Sequence, residues 1–217
     1  MREFFERYGS EAQCEAALCA ARWPRGWRCA RCSCSRSFRT QNRTGRPLWE
    51  CFVCGYQSSV TVGTVFEHTK LPWSVWFLAI YLMTQSKNAV SALELRRQLG
   101  VSYKTAWLLK HKLLETMRLR EQPRRLHGRV EIDDAYLGGE RAGHAYGGRG
   151  ALDKTAFVAA VQTDEVGRPR LMRLTPVAGF TNEAIKAWSA ASLAHGAHVV
   201  SDGTACFARV TLLGASH

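Results

Sequence analysis

Val130-Glu131-Ile132-Asp133-Asp134-Ala135-Tyr136-Leu137 alternates apolar and polar residues with a period of two, the pattern of a half-buried strand, yet it carries carboxylates inside the run. A buried carboxylate is costly unless it is paired or metal-bound, so acid at this place requires a reason. Thr155 to Thr163 and Pro169 to Val177 keep the two-residue period, Asn182 to Leu193 reads as an amphipathic helix, and His198 to Ser201 reads as a strand ending at Asp202. Three strands in hairpin succession predict antiparallel pairing, and the helical crossover then returns a fourth strand parallel to an earlier one. If that neighbour is the first strand, Asp133 and Asp202 meet across adjacent strands. Such a pair suits Mg²⁺ or Mn²⁺, and two ions about 3.5–4 Å apart would serve an in-line phosphodiester displacement. Aspartates at strand ends also cap turns, and the residue pattern alone does not separate the two readings.

Upstream, Cys29-x2-Cys32 and Cys51-x2-Cys54 are separated by 18 residues, a spacing that predicts a zinc ribbon: two tight turns, each giving two thiolates to one tetrahedral Zn²⁺. Cys34 offers an alternative to Cys32, but the matched spacing of the two pairs argues against it. A redox role would need a strand-helix-strand context that is absent around these pairs. Cys14, Cys19 and Cys206 read as ordinary buried thiols. Arg25, Arg28, Arg31, Arg36, Arg39, Arg43 and Arg46 stud the ribbon, where they either clamp a duplex or solvate a small fold.

Between ribbon and strands the period is helical. Glu3 to Ala21 reads as one helix containing a Ser10/Gln13 capping box, and Leu71-Pro72 opens an apolar helix through Met83. Ser91 and Glu94 form a second capping box, Gly100 is a stop, and Ser102 to Met117 repeats Ala106, Leu109, Leu113 and Met117 at helical spacing. Two helices joined by Gly-Val-Ser make a helix-turn-helix candidate. Ser102, Tyr103, Lys104 and Thr105 would then face the major groove, with Arg96, Arg97, Lys110 and Lys112 on phosphates. The bland alternative is a helical hairpin with charged solvent faces. Glu121 to Gly128, with Pro123 and Arg124-Arg125, reads as a linker.

Charge divides the chain in the same way. The net charge of +12 over 217 residues points to a polyanionic partner. It is distributed as +5 over residues 1–60, 0 over 61–86, +8 over 87–129 and −1 over 130–217. A basic front and a near-neutral rear holding half of the acidic side chains suggest that one part grips phosphate and the other does different chemistry. Met1 to Ser10 is charged and lacks a signal-like apolar core, and Trp73 to Met83 is shorter than the roughly 20 apolar residues that cross a bilayer. The expectation is a cytoplasmic protein without a membrane partner, in which cysteines serve as metal ligands or buried thiols.

The sequence resembles the bacterial insertion-sequence transposases of the ISXO-like group over nearly its whole length. The resemblance is carried by Arg22-Trp23-Pro24-Arg25-Gly26, Ser59-Val60-Thr61-Val62-Gly63-Thr64, Thr69-Lys70-Leu71-Pro72 with Trp76-Phe77, and Ser91-Ala92-Leu93. It continues through Leu99-Gly100-Val101-Ser102-Tyr103-Lys104-Thr105-Ala106-Trp107 and from Val130 to Gly138-Gly139. The resemblance implies a mixed α and β chain: helix and zinc ribbon over 1–66, a helical region with helix-turn-helix over 67–120, a linker over 121–128, and an incomplete ribonuclease-H-like acidic-triad (DDE-type) domain over 129–217. It makes Asp133 and Asp202 the first two catalytic carboxylates. It also implies nicking at element ends, attack of the freed 3′-hydroxyl on target duplex DNA, a homo-oligomer on paired ends, and a nucleoid-associated place in a bacterial cytoplasm. Asp134 stands where the family commonly has glutamate, and its role is left open. No Asp, Glu or Asn follows Asp202, so the expectation is a C-terminally truncated chain, inactive in strand transfer because the third metal ligand is missing. The alternative is a non-catalytic zinc-ribbon and helix-turn-helix DNA-binding protein.

Overall fold

The computed structural model describes residues 1–43, 45–86, 89–138, 154–202, 205–208 and 210. Gly139, the last residue of one motif quoted above, lies outside them. The chain divides into two compact units, Met1–Arg120 and Glu121–His217.

The first unit begins with α1 (Arg2–Tyr8) and α2 (Glu11–Arg22), where one helix is expected from sequence. The break falls at Gly9-Ser10 because Ser10 is an N-cap rather than an interior residue: its hydroxyl accepts the Gln13 N–H, and the Gln13 side chain returns a bond to the Ser10 N–H. The ribbon sheet follows, with β1 (Ser37–Gln41), β2 (Pro47–Cys51) and β3 (Gln57–Ser58) all antiparallel in the order β1-β2-β3. The apolar helix α3 runs Trp73–Gln85, with Pro72 one place earlier than expected, at the N-cap. Proline offers no capping side chain, and the exposed first N–H groups of α3 are taken instead by Glu11 of α2. Its two carboxylate oxygens accept from Trp73 and Ser74 at 2.9 and 2.8 Å.

Helix α4 (Ala92–Leu99) starts on the Ser91 hydroxyl and stops at Gly100, whose φ of 64° is the left-handed conformation that glycine adopts without strain. Helix α5 (Tyr103–Glu121) overruns its expected end at Met117 by a full turn into the segment read as linker. Its Leu109 and Leu113 pack with Trp76 and Ala79 of α3, which explains most of the stripe read from helical spacing, whereas Met117 at its end is exposed. A second cluster joins Cys14 of α2, Val60 and Trp73.

The second unit is a four-stranded sheet of order β6-β5-β4-β7, built from β4 (Arg129–Leu137), β5 (Thr155–Thr163), β6 (Pro169–Pro176) and β7 (His198–Val200). The first three strands are antiparallel, and α6 (Asn182–Ser192) leads to β7, which lies parallel to β4. Alternation decides which face is covered. Val130, Ile132, Val158, Ala160 and Val199 are buried with Ile185 and Trp188 of α6, Phe207 and Val210. On the other face Met172 and Leu174 are exposed. Leu126, in the segment read as linker, is buried. Its N–H donates to the Ser192 carbonyl and its carbonyl accepts from Ala194, because an apolar side chain here completes the core beneath the end of α6.

Glu11 generates a test. The hydrogen bonds from Ser74 and Trp73 and the charge of Arg46 hold its carboxyl below the ordinary value despite partial burial, which acts the other way. A group whose folded pKa is depressed stabilises above its unfolded pKa, and that contribution is lost as pH falls through the folded value. Glu11→Gln is expected to lower stability by about 1 kcal/mol near neutral pH, the usual worth of a cap, and by progressively less as pH falls through the depressed folded value. Denaturant titrations followed by tryptophan emission report it, since six of the seven tryptophans lie in the first unit.

Candidate functional site

Two groups of metal-ligating side chains stand out among the described residues, one in each unit.

The first is Cys29, Cys32, Cys51 and Cys54, whose sulfurs all lie within 4.8 Å of one another. The two turns that present them repeat the same backbone bonds. Cys29 N–H donates to the Cys34 carbonyl and Cys51 N–H to that of Tyr56, both at 2.9 Å, while Ser33 and Gly55 return N–H groups to the carbonyls of Cys29 and Cys51. Both returning residues are left-handed, with φ of 60° at Ser33 and 66° at Gly55. Ser33 therefore adopts a conformation uncommon for a side-chain-bearing residue, as the knuckle geometry demands.

The sulfur separations Cys29–Cys54 and Cys32–Cys51 are 3.5 and 3.4 Å. A zinc tetrahedron with Zn–S bonds of about 2.3 Å has edges of about 3.8 Å, so the donor set and its spacing fit that ion. Electrostatics agree for the first cysteine of each knuckle. Burial opposes ionisation of Cys51, but N–H groups of Cys54 and Val53 and the thiols of Cys32 and Cys54 bring it down to about 6. Cys29 is lowered in the same way, its burial outweighed by N–H groups of Cys32 and Arg31 and by neighbouring thiols. Thiolate is the form that binds metal. Cys34 is outside the cluster, with its sulfur against the Arg36 backbone. Cys14 is fully buried and its thiol pushed up to about 11, by burial and then by Glu11, whereas Cys19 is only half-buried.

The second group is Asp133, Asp134 and Asp202, which offer carboxylate oxygens within 4.8 Å of one another. The last parallel pair of β4 with β7 is Glu131 with Val200, so Asp133 and Asp202 stand two residues further along the same register. Beyond Glu131, β4 has β5 on one side and no strand on the other among the described residues. The open edge is what admits Asp134. Strand alternation puts it on the covered face, with Val130 and Ile132, opposite to Asp133, yet its carboxylate reaches the shared space. Sequence reading singled out Asp133 and Asp202 and left Asp134 open. A side chain's reach round a strand edge has no signature in periodicity, and two adjacent acids are the only cue. Cys206 is close by: burial first, then the charges of Asp134 and Asp202, raise its thiol.

The residues expected to meet DNA are all in α4, α5 and the turn between them. Arg96, Arg97, Ser102, Tyr103, Lys104 and Lys112 are exposed, while Thr105 and Lys110 are half-buried. Ser102 is already engaged, its hydroxyl accepting the Thr105 N–H at 3.2 Å and lying 2.9 Å from the Thr105 hydroxyl. Arg97 pairs with Glu94 at 3.9 Å.

The architecture is thus a ribbon with a four-thiol cluster and a sheet with a three-carboxylate cluster, each able to hold a metal ion. Comparison with known families makes that specific. Residues 9–57 match the transposase zinc-ribbon domain and residues 125–217 match the ISXO2-like transposase domain, so both stretches are similar to domains of transposases. It is also 30% identical over 129 residues to an uncharacterized protein in transposable element ISH50 of Halobacterium salinarum, an alignment covering 59% of this chain and 42% of that protein. The chain thus aligns with less than half the length of that curated relative. No solved structure matches. Among the described residues no helix is long and apolar enough to cross a membrane.

The ribbon's buried cluster among the described residues is small, Trp27 with Cys29 and Cys51, flanked by half-buried Trp23 and Trp49, so the thiols are expected to carry much of its order. The purified chain is expected to carry about one zinc, and Cys51→Ser to carry almost none. Chelation should likewise expose the segment around residues 27–58 to protease and leave the β4–β7 sheet protected. Full zinc occupancy in the variant, measured by metal analysis, would contradict the four-thiolate assignment.

Proposed function

We propose that this chain is the DNA-binding and metal-binding portion of a DDE-type transposase that cleaves the ends of an insertion sequence and joins them to target DNA. The observation supporting this reading is the meeting of Asp133, Asp134 and Asp202 at the open edge of β4, in a chain whose second unit matches an ISXO2-like transposase domain. Asp133 and Asp202 are the metal-holding and catalytic pair. Their oxygens are hard donors at the spacing that Mg²⁺ or Mn²⁺ uses with carboxylates, water and phosphate oxygens. Divalent ions held there supply the charge that favours deprotonation of the attacking hydroxyl and stabilises the departing oxygen.

In cleavage a water oxygen bonds to phosphorus as the P–O3′ bond breaks, leaving a 3′-hydroxyl. In joining, that hydroxyl attacks a target phosphodiester, and the target's own 3′ oxygen leaves with a proton. The chain's part is to hold phosphate and nucleophile in line. Asp134 lies near enough to share the ions or to orient a bound water.

Cys29, Cys32, Cys51 and Cys54 hold a structural zinc. Arg96, Arg97, Lys110 and Lys112 contact the duplex backbone, with Ser102, Tyr103, Lys104 and Thr105 toward the groove. Part of that face is taken up by α5's own capping, so Tyr103 and Lys104 carry more of the reading than Ser102. Element ends and target are the substrates, the working form is a homo-oligomer on paired ends, and the protein acts in the cytoplasm at the nucleoid.

The rival reading keeps ribbon and helices but makes the carboxylates inert, leaving a DNA-binding protein. Calorimetric titration with Mn²⁺ separates the two. Asp133→Ala and Asp202→Ala are each expected to weaken binding tenfold or more, while zinc content and duplex affinity stay as in the wild type. Identical Mn²⁺ affinity in all three proteins would leave only the binding role.

A further inference from the structure

Phe38 and Phe52 have no place in the readings above, and their position is unusual. Phe38 lies on β1 and Phe52 inside the second cysteine knuckle; they are 53% and 52% exposed, and their rings sit 5.3 Å apart at 43°. The Arg36 guanidinium lies 4.4 Å over the Phe52 ring, and the Arg36 carbonyl accepts the Phe52 N–H, so the three residues form one fixed group. Packing does not account for it: the ribbon core is formed on Trp27 and the cysteines, without either phenylalanine.

We propose that Phe38, Phe52 and Arg36 form a stacking platform for unpaired bases of single-stranded DNA. Charge selects the class of partner. Residues 23–62 contain seven arginines against one acid, Glu50, whose carboxylate already accepts a bond from the Gln57 amide. A second copy of this surface would meet it with like charge. A polyanion that also presents flat π faces answers both features, and that is a nucleic acid strand. In a duplex those faces are closed within the stack, whereas in a single strand they are free. Bases would lie against the exposed ring faces, while Arg31 and Arg28, both exposed, take phosphates. The Arg36 guanidinium is poised to extend the stack beyond Phe52.

The proposal rests on DNA being the partner, and the experiment separates the two. Fluorescence anisotropy of the zinc-loaded full chain is measured with three probes: an oligothymidylate of about 12 nucleotides, an abasic strand of equal length and charge, and a duplex. The wild type is expected to bind the thymidylate about tenfold more tightly than the abasic strand. The Phe38→Ala/Phe52→Ala variant should lose that preference, since stacking a base on an aromatic ring is worth about tenfold, and keep duplex affinity within about twofold. The Phe38→Tyr/Phe52→Tyr variant should retain it. Should the double alanine variant lose zinc, Phe38→Ala alone, on β1 away from the knuckle, reports the same loss. Equal wild-type affinity for base-bearing and abasic strands overturns the platform while leaving duplex binding intact. Absence of binding to all three probes overturns the DNA reading itself.

Discussion

Three backbone pairs, Arg129 with His198, Val130 with Val199 and Glu131 with Val200, hold β7 parallel to β4, and the meeting of the second unit's carboxylates depends on them. Asp133 and Asp202 are far apart in sequence and belong to no common turn. Only a crossover that brings the chain back in the same direction puts the ends of both strands at one edge of the sheet. The pairing is short, and much of its strength comes from burial. Val130 and Val199 are fully buried, Ala197 nearly so, and burying a side chain of valine size contributes about 1.5–3 kcal/mol. Helix α6 contributes Ile185 and Trp188 to the same core, and Leu126 closes it where the chain enters. Substitutions in this apolar patch would therefore act on the carboxylates indirectly, by loosening the strand that carries Asp202.

The first unit solves a different problem. A ribbon of this size cannot bury enough apolar surface to order itself, and its packed interior consists largely of the cysteines. Metal coordination substitutes for a core: N–H groups aim at Cys29 and Cys51 and favour thiolate there, whereas Cys32 and Cys54 are raised by their neighbouring thiols until an ion takes the protons' place. The helices beside it are held by aromatic packing and by the long-range cap from Glu11 to the start of α3. That single carboxylate ties α2 to α3 at the point where proline has removed the local alternative.

Much of this architecture was readable from residues alone, and the reasons differ by element. The cysteine spacing carries its own geometry, since two paired thiolates on tight turns leave few arrangements but a shared ion. Strands β4 to β6 were legible because one face is covered and the other open, which imprints alternation. Ser91 and Gly100 are local capping signals, and local signals survive without tertiary knowledge. What escaped is non-local. The split at Gly9 is hidden because helical residues lie on both sides of the Ser10/Gln13 capping box, so the box does not by itself reveal a separate helix before it. The extra turn of α5 and the docking of Leu126 depend on neighbours that no window of sequence contains. The exposed Phe38 was not legible either, because strand periodicity does not say which alternating face is left without a cover.

Asp134 shows why a strand edge matters more than a strand face at such a site. Inside a sheet, successive side chains point to opposite sides, and two adjacent acids there could not serve one ion. β7 stops at Val200, and past that point β4 has lost a neighbour on one side among the described residues. Its side chains from both faces can then turn toward the vacated edge, where Asp202 arrives from the strand that has just ended. The early end of β7 is thus part of the arrangement, giving the three carboxylates a common space beyond its last residue. A longer β7 would strengthen the sheet by extra ladder bonds and, by closing the edge, would separate Asp134 from the other two.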